Sequence, residues 1–243
     1  MTEVERMKDE IVFLFHPSPF ILHPPSFIPH PSMPTLEREF ALKAQGYAHI
    51  AGIDEAGRGA WAGPVVAAAV ILPLDHPELL HRMAGVNDSK QLSAKQRESM
   101  RGQIQQVATA WAIGEASVDE IDRLGIVPAT RLAMQRACVA LSPQPHALLI
   151  DAVRLPALAL PQQSLNFADS ISLSGAAASI LAKTARDATL DRLDTEYRGY
   201  GFAKHKGYGT AAHRAALQYL GVSPQHRRSY APIAQLITPK LVA

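Results

Sequence analysis

Several kinds of residue and segment that would define other protein classes are missing from this chain. It contains one cysteine, Cys138, in 243 residues, which excludes an internal disulfide framework and a cysteine-rich zinc site. No apolar run approaches the roughly 18 residues that a membrane-spanning helix needs. Because hydrophobic residues still make up 47% of the chain, we expect a globular protein of a reducing, cytoplasmic compartment, with Cys138 packed inside a helix.

Acidic residues are absent from the C-terminal part of the chain. No Asp or Glu occurs from Tyr197 onward, although the whole sequence has a net charge of only +2. A basic stretch of this kind suits a polyanionic partner such as a nucleic acid. Taken alone, it is equally well interpreted as a solvated basic surface.

Residues 1–36 differ in composition from the rest of the chain. They hold seven of the 18 prolines and a degenerate heptad, HPSPFIL, HPPSFIP and HPSMPTL. Proline lacks the N–H donor that helices and central strands need, so this leader is predicted to be low-complexity and disordered. Its three spaced histidines could bind a metal, but disorder is the better interpretation. We hypothesise that translation starts at Met33, which N-terminal mass spectrometry would test.

Residues 37–243 have the pattern of one α/β domain. The runs HIAGID, GPVVAAAVILP, ATAWAIGEAS, HALLIDAV and LNFAD are typical of strands. Ser93 with Gln96 and Ser117 with Glu120 predict capping boxes that begin two helices. Strands followed by alternating helices and strands predict a mixed β-sheet flanked by helices, with a small helical C-terminal region from about residue 197.

Acidic residues end three of the predicted strands. Asp54, Asp151 and Asp169 occupy these positions, and Glu55 follows the first. A single acid at a strand end is more often a cap or a turn residue, but three in one domain suggest a site. Clustered carboxylates repel unless protons or cations compensate them, and oxygen ligands select Mg²⁺ or Mn²⁺. Two such ions about 4 Å apart can clamp a phosphodiester.

Five sequence blocks resemble bacterial ribonuclease HII, and they occur in that family's order and spacing. The resemblance extends from about residue 37 to the C-terminus and includes HRRSY. It implies a ribonuclease-H-like fold. The blocks are DEAGRG at residues 54–59, NDSKQLS at 87–93, LLID at 148–151, AAASILAKTARD at 176–187 and HKGYGT at 205–210.

The resemblance also implies the activity. A family member is expected to hydrolyse the RNA strand of RNA–DNA hybrids and to nick duplex DNA 5′ of a lone ribonucleotide, as in ribonucleotide excision repair. Two Mg²⁺ or Mn²⁺ ions would activate a water, leaving a 5′-phosphate and a 3′-hydroxyl. A monomer with no membrane partner is expected. The residues that would hold the metals are Asp54, Glu55, Asp151 and Asp169.

The substrate-binding residues follow from the same resemblance. Gly57, Arg58 and Gly59 would read the ribose 2′-hydroxyl through close backbone approach. Tyr208 would stack on the deoxyribose beyond the ribonucleotide, and basic residues would contact phosphates without base preference. For each of these, a turn, a loop anchor or a solvated side chain is the alternative. The phosphate-contacting candidates are Lys90, Ser179, Lys183, Lys206 and Arg228.

Three features depart from the family pattern, one of which is that SISLSG, after Asp169, lacks the basic residue commonly found there. Ala60 stands where proline or cysteine often occurs, and Ala152 stands where glycine usually follows the third acid. Alanine at 152 matters only if that residue needs a positive φ. All four acids are present, so we predict an active enzyme. The alternatives are a transposase- or resolvase-like nuclease, which would need a further DNA-binding domain, and a hybrid-binding module without catalysis, which would be expected to lack an acid.

Overall fold

The computed structural model describes residues 33–237. Residues 1–32 of the predicted leader, with its three histidines, lie outside the described residues, whereas residues 33–36 are described. Thr35 is hydrogen-bonded to the folded domain: its N–H donates to the carbonyl of Ile171, and its carbonyl accepts from Leu173. Leu36 is buried beside them, so the segment before residue 37 already packs on the domain.

One five-stranded mixed sheet forms the centre of the described region. The strand order is β3-β2-β1-β4-β5; β1 pairs antiparallel with β2, as β2 does with β3, while β4 pairs parallel with β1 and β5. This confirms the predicted α/β sheet. The strands are β1 (Ile50–Ala56), β2 (Val65–Ile71), β3 (Ala110–Ala116), β4 (Ala147–Asp151) and β5 (Gln162–Leu165).

Helices cover both faces of the sheet. Ser93 and Ser117 each form the predicted capping box, at the start of α3 and α4. The helices are α1 (Glu37–Ala44), α2 (Leu79–Arg82), α3 (Ala94–Val107), α4 (Val118–Leu124), α5 (Ile126–Val139), α6 (Ala168–Ile171), α7 (Leu173–Glu196), α8 (Phe202–His205), α9 (Ala211–Leu220) and α10 (Ala231–Ile237). Within residues 33–237, no helix combines the length and apolarity that crossing a membrane requires.

Small residues bring α7 unusually close to the strand that carries the first two acids. A Cβ placed on Gly52 of β1 would lie 2.2 Å from the backbone carbon of Ser174. The first half of α7, including Ala176 and Ser179, is buried against the sheet, and α5 packs on the opposite face with Cys138 in the core. Because α7 sits directly on β1, its side chains can reach the acids.

The C-terminal helices pack on the second half of α7. Leu190 and Leu193 of α7 share a small core with Phe202, Leu217 and Ile233. The cluster gives the helical C-terminal region its own hydrophobic anchor. It places the loop before α9 beside the residues that follow β1.

One strand prediction was wrong. The run LNFAD does not form a strand that ends on Asp169: β5 ends at Leu165, and Asp169 lies on the short helix α6. Phe167 has a φ of +63°, and this left-handed backbone cannot continue a strand. Asp169 therefore reaches the sheet edge from a helix. Asp54 also differs slightly from expectation, because β1 continues to Ala56.

Candidate metal centre and nucleic-acid interface

Three of the predicted acids converge at one end of the sheet. Ligand oxygens from Asp54, Glu55 and Asp151 all lie within 4.8 Å of one another. They meet because β1 and β4 are parallel neighbours, so equivalent ends of both strands lie side by side. We call these three residues the acid cluster. Asp54 Oδ1 accepts the Glu55 N–H at 2.7 Å, and Asp151 Oδ1 accepts the N–H of Ala168 at 2.9 Å.

Burial and mutual repulsion shift the pKa values of the acid cluster upward. The pKa of Asp54 is raised well above its ordinary value, first by burial and then by the charges of Glu55 and Asp151; a hydrogen bond from Ser179 opposes this. Burial also raises the pKa of Glu55, against the influence of Arg58, and that of Asp151. Added positive charge would relieve this repulsion.

Asp169 lies beside the acid cluster rather than within it. Its charge contributes to the raised pKa values of both Asp54 and Asp151, so the four carboxylates share one electrostatic environment. Its Oδ2 accepts from Lys90 Nζ at 3.0 Å, and Asp88 approaches the same ammonium group at 4.0 Å. The structure therefore brings all four predicted acids to one place, with Lys90 occupying one face of the fourth.

The donor set fits a hard divalent cation. All the converging groups are carboxylates, which suit Mg²⁺ and Mn²⁺ better than softer metals. Glu55 Oε1 accepts from Arg58 Nη1 at 3.1 Å, whereas Glu55 Oε2 is buried without a hydrogen-bond partner among residues 33–237. A buried carboxylate oxygen is costly to leave unpaired, and a metal ligand bond would satisfy it.

The Gly-Arg-Gly segment begins directly after the acid cluster. Gly57 is buried with a φ of +92°, and a Cβ there would lie 1.9 Å from Arg186 Nε, so only glycine fits. Arg58 points back to Glu55, and Gly59 is exposed with open space around its α-carbon. The segment thus turns tightly beside the carboxylates and leaves its middle accessible.

The HKGYGT segment packs against the same loop. The carbonyl of Gly207 accepts the N–H of Trp61 at 2.8 Å, and a Cβ on Gly209 would lie 2.2 Å from the Trp61 ring. Tyr208, between these glycines, is 39% exposed. The guanidinium of Arg186 lies 5.5 Å from the centre of its ring. The tyrosine therefore presents a supported aromatic face beside residues 57–59.

The predicted phosphate-contacting residues occupy different settings. Lys183 Nζ binds Asp187 at 2.6 Å, and Lys206 Nζ binds Asp191. Ser179 is buried, with its hydroxyl 2.9 Å from that of Ser89. Lys90 is exposed along most of its side chain. Arg228 is also exposed, and its backbone N–H donates to Asp122.

Sequence reasoning missed two residues, Arg186 and Arg227. Both are fully buried beside the loop that follows β1, residues 57–64. The helical spacing from Ser179 to Arg186 was a usable signal, since it places Arg186 on the buried face of α7. In HRRSY, nothing local distinguishes Arg227 from its exposed neighbour Arg228. Tyr230 of that block was not considered either.

Comparison with known proteins identifies the family. The ribonuclease HII family model matches residues 51–233. Ribonuclease HII of Desulfitobacterium hafniense (strain Y51) is 52% identical over 200 residues, 82% of this chain and 75% of that protein. Ribonuclease HII of Roseiflexus castenholzii is 53% identical over 208 residues, 84% of this chain and 92% of that protein.

The fold agrees with that assignment. The crystal structure of ribonuclease H2 from Pyrococcus horikoshii OT3 superimposes with a TM-score of 0.68 at 25% identity, covering 77% of this chain and 96% of that one. The chain therefore belongs to the ribonuclease HII family, whose members are metal-dependent ribonucleases H that act on RNA–DNA hybrids.

Proposed function

We propose that this enzyme, besides cutting the RNA strand of hybrids, nicks duplex DNA on the 5′ side of a single embedded ribonucleotide. The products would be a 5′-phosphate and a 3′-hydroxyl. The observation that supports the chemistry most directly is the acid cluster, whose ligand oxygens lie within 4.8 Å of one another and which includes the unpaired Glu55 Oε2. The open Gly-Arg-Gly segment beside it supports the ribonucleotide preference.

Asp54, Glu55, Asp151 and Asp169 would hold two Mg²⁺ or Mn²⁺ ions. Bound ions of this kind supply an activated water and stabilise the charge on the leaving 3′-oxygen. The task of the carboxylates is to gather and orient positive charge, and their mutual repulsion favours cation binding. Asp169, when it holds a metal ion, would no longer be hydrogen-bonded to Lys90. The Lys90 ammonium group would then be free to contact a substrate phosphate.

The specificity would come from the two packed loops. Gly57, Arg58 and Gly59 would direct backbone groups at the 2′-hydroxyl, the group that distinguishes RNA from DNA at one position. Tyr208 would stack on the neighbouring deoxyribose with its exposed ring face. Because Gly207 bonds to the residues after Gly59, the two recognition elements are held at a fixed separation.

Phosphate contacts would come from Lys90, Ser179, Lys183 and Lys206. Lys183 and Lys206 are ion-paired with acids on α7, so substrate phosphates would compete with Asp187 and Asp191 for these ammonium groups. Such contacts hold the backbone in place and carry no sequence preference. The cytoplasmic location, the monomeric state and the role in ribonucleotide excision repair stay predictions.

A nicking assay tests the proposal. The protein is incubated with Mg²⁺ or Mn²⁺ and three labelled duplexes: one with a single ribonucleotide, an RNA–DNA hybrid, and an all-DNA control. We expect cleavage of the hybrid and a nick 5′ of the single ribonucleotide, with the control intact. Equal cleavage of the all-DNA duplex would indicate a general nuclease instead. Binding without cleavage of any substrate would indicate a hybrid-binding module.

A further inference from the structure

Two arginines are buried beside the recognition loops without an acidic partner. Arg186 and Arg227 have no exposed surface, and neither forms a salt bridge within the described residues, 33–237. Burial lowers the pKa of Arg186 to about 10 and also lowers that of Arg227. Burying an unpaired guanidinium is costly, so its hydrogen bonds must serve a purpose that an apolar side chain would not.

Arg186 ties the two recognition loops together. It donates from Nε to the carbonyl of Pro64 at 3.1 Å and from Nη2 to that of Ala62 at 3.0 Å. Its Nη1 donates to the carbonyl of Lys206 at 2.9 Å. One planar group therefore holds the loop that follows the acids and the segment that carries Tyr208.

Arg227 holds the other side of the same loop. Its Nε donates to the carbonyl of Gly63 at 3.0 Å, and its Nη1 to that of Arg58 at 2.9 Å. The Tyr230 hydroxyl accepts from the same Nη1 at 3.0 Å and donates to the Arg58 carbonyl. The carbonyl of the peptide between Arg58 and Gly59 thus accepts from two donors.

We infer that Arg186, Arg227 and Tyr230 form a guanidinium clamp, a set of positioning residues that fixes the 57–64 loop in its ribose-reading conformation and at its distance from Tyr208. The inference rests on the proposed function of that loop. Only arginine offers five N–H donors in a rigid plane. Such a donor set is needed where several backbone carbonyls converge on one side chain. A lysine could satisfy one or two of them and would leave the others unpaired.

Binding measurements in a non-cleaving background test the inference. In Asp54→Asn protein, we compare the Kd for a duplex carrying one ribonucleotide with the Kd for the same duplex made only of DNA. Tyr230→Phe, which keeps the ring and removes one hydroxyl, should reduce the preference for the ribonucleotide about three- to tenfold. Arg186→Lys and Arg227→Lys should reduce it further. Arg136→Lys is the matched control, since Arg136 also donates to a carbonyl, that of Glu115, but on α5 remote from the site; its preference should be unchanged.

A second measurement separates loop positioning from general damage. Mn²⁺ affinity, measured by calorimetry on the same variants with Asp54 restored, should stay within about twofold of the unmodified protein, since the clamp does not touch the acid cluster. An unchanged ribonucleotide preference in folded Tyr230→Phe would overturn the inference, whether or not the lysine variants fold. If the Asp54→Asn parent itself binds both duplexes equally, the proposed specificity is wrong, and the clamp's role with it.

Discussion

Ala152, next to the third acid, has a backbone conformation that is unfavourable for alanine. Its φ is +52°, a left-handed conformation that costs an alanine about 1 kcal/mol relative to glycine. The residue is exposed, so the strain arises from the backbone alone. The chain turns at Ala152, directly after Asp151, so that β4 ends at the third acid.

Replacing Ala152 with glycine should therefore stabilise the protein. Ala152→Gly is expected to raise the free energy of unfolding by about 1 kcal/mol, measured by urea denaturation, with nicking activity retained. Ala215→Gly, at an exposed position inside α9, is the matched control and should lower the same quantity by about 1 kcal/mol. A loss of stability in Ala152→Gly would show that the turn does not strain the alanine.

Asp54 should separate catalysis from folding. It is buried among other carboxylates and its pKa is raised, so the charge is unfavourable without metal. Asp54→Asn is expected to reduce nicking about 1,000-fold or more, since the bound ions contribute several kcal/mol to the transition state. In EDTA, its thermal unfolding temperature should equal or exceed that of the unmodified protein. A less stable variant in EDTA would instead make the acid structural.

At the level of single residues, sequence patterns located most of the candidate site. Asp54 and Asp151 follow apolar strands, and the structure brings them together; Cys138 is buried as predicted, with its thiol pKa raised to about 11 by burial. Asp169 was expected near the site as the last residue of a strand, LNFAD, but the left-handed Phe167 interrupts that strand. The residue types of a short segment do not reveal a single positive φ.

At the level of elements, helix starts could be predicted and short polar elements could not. Ser93 and Ser117 predict the starts of α3 and α4, because the residues of a capping box are close together in the sequence. By contrast, β5 has the sequence QQSL and exists because it pairs with β4 at the sheet edge. Helices of four residues such as α6 and α8 show too few turns for any periodicity.

The acids of α7 should restrain nucleic-acid binding. Asp191 holds the Lys206 ammonium, which the proposed function assigns to a phosphate. Asp191→Asn is expected to tighten binding to duplex DNA about two- to fivefold at low salt and to steepen the dependence of log Kd on log salt, because one more lysine would displace counterions. Glu196→Gln removes the same charge from the exposed end of α7 and should change binding less. An equal effect of both variants would indicate net charge rather than release of Lys206.

For the whole molecule, the family and its fold were predictable, but the contacts that join distant segments were not. Five short blocks identify ribonuclease HII, and the mixed sheet follows from the order of strands and helices. The bonds from Arg186 to Ala62 and from Arg227 to Arg58 span more than a hundred residues. They depend on how α7 and the C-terminal region dock, which no local pattern encodes.

The docked C-terminal region should make stability depend on pH through two buried histidines. His213 Nδ1 lies 3.0 Å from the Tyr208 carbonyl, and its Nε2 lies 3.0 Å from His226 Nε2. Burial lowers both pKa values from about 6.5 to about 4, so the unfolded chain binds more protons between these limits. Stability is then complete above about pH 6.5 and is lost as the pH falls toward 4.

We expect the two histidines to remove on the order of 2 kcal/mol of the free energy of unfolding, from urea denaturation, between pH 7.5 and 5. The raised pKa values of the acid cluster act in the opposite direction, because protonation relieves the repulsion among its carboxylates in the folded state. His226→Gln should be less stable at pH 7.5, since His213 loses its partner, but should lose less on acidification because one depressed pKa is gone. His81→Gln, at an exposed position on α2, should keep the original slope. If His226→Gln and the unmodified protein lose stability in parallel, other groups govern acid unfolding. The histidine pair would then only pack α9 against the HRRSY segment, without making stability depend on pH.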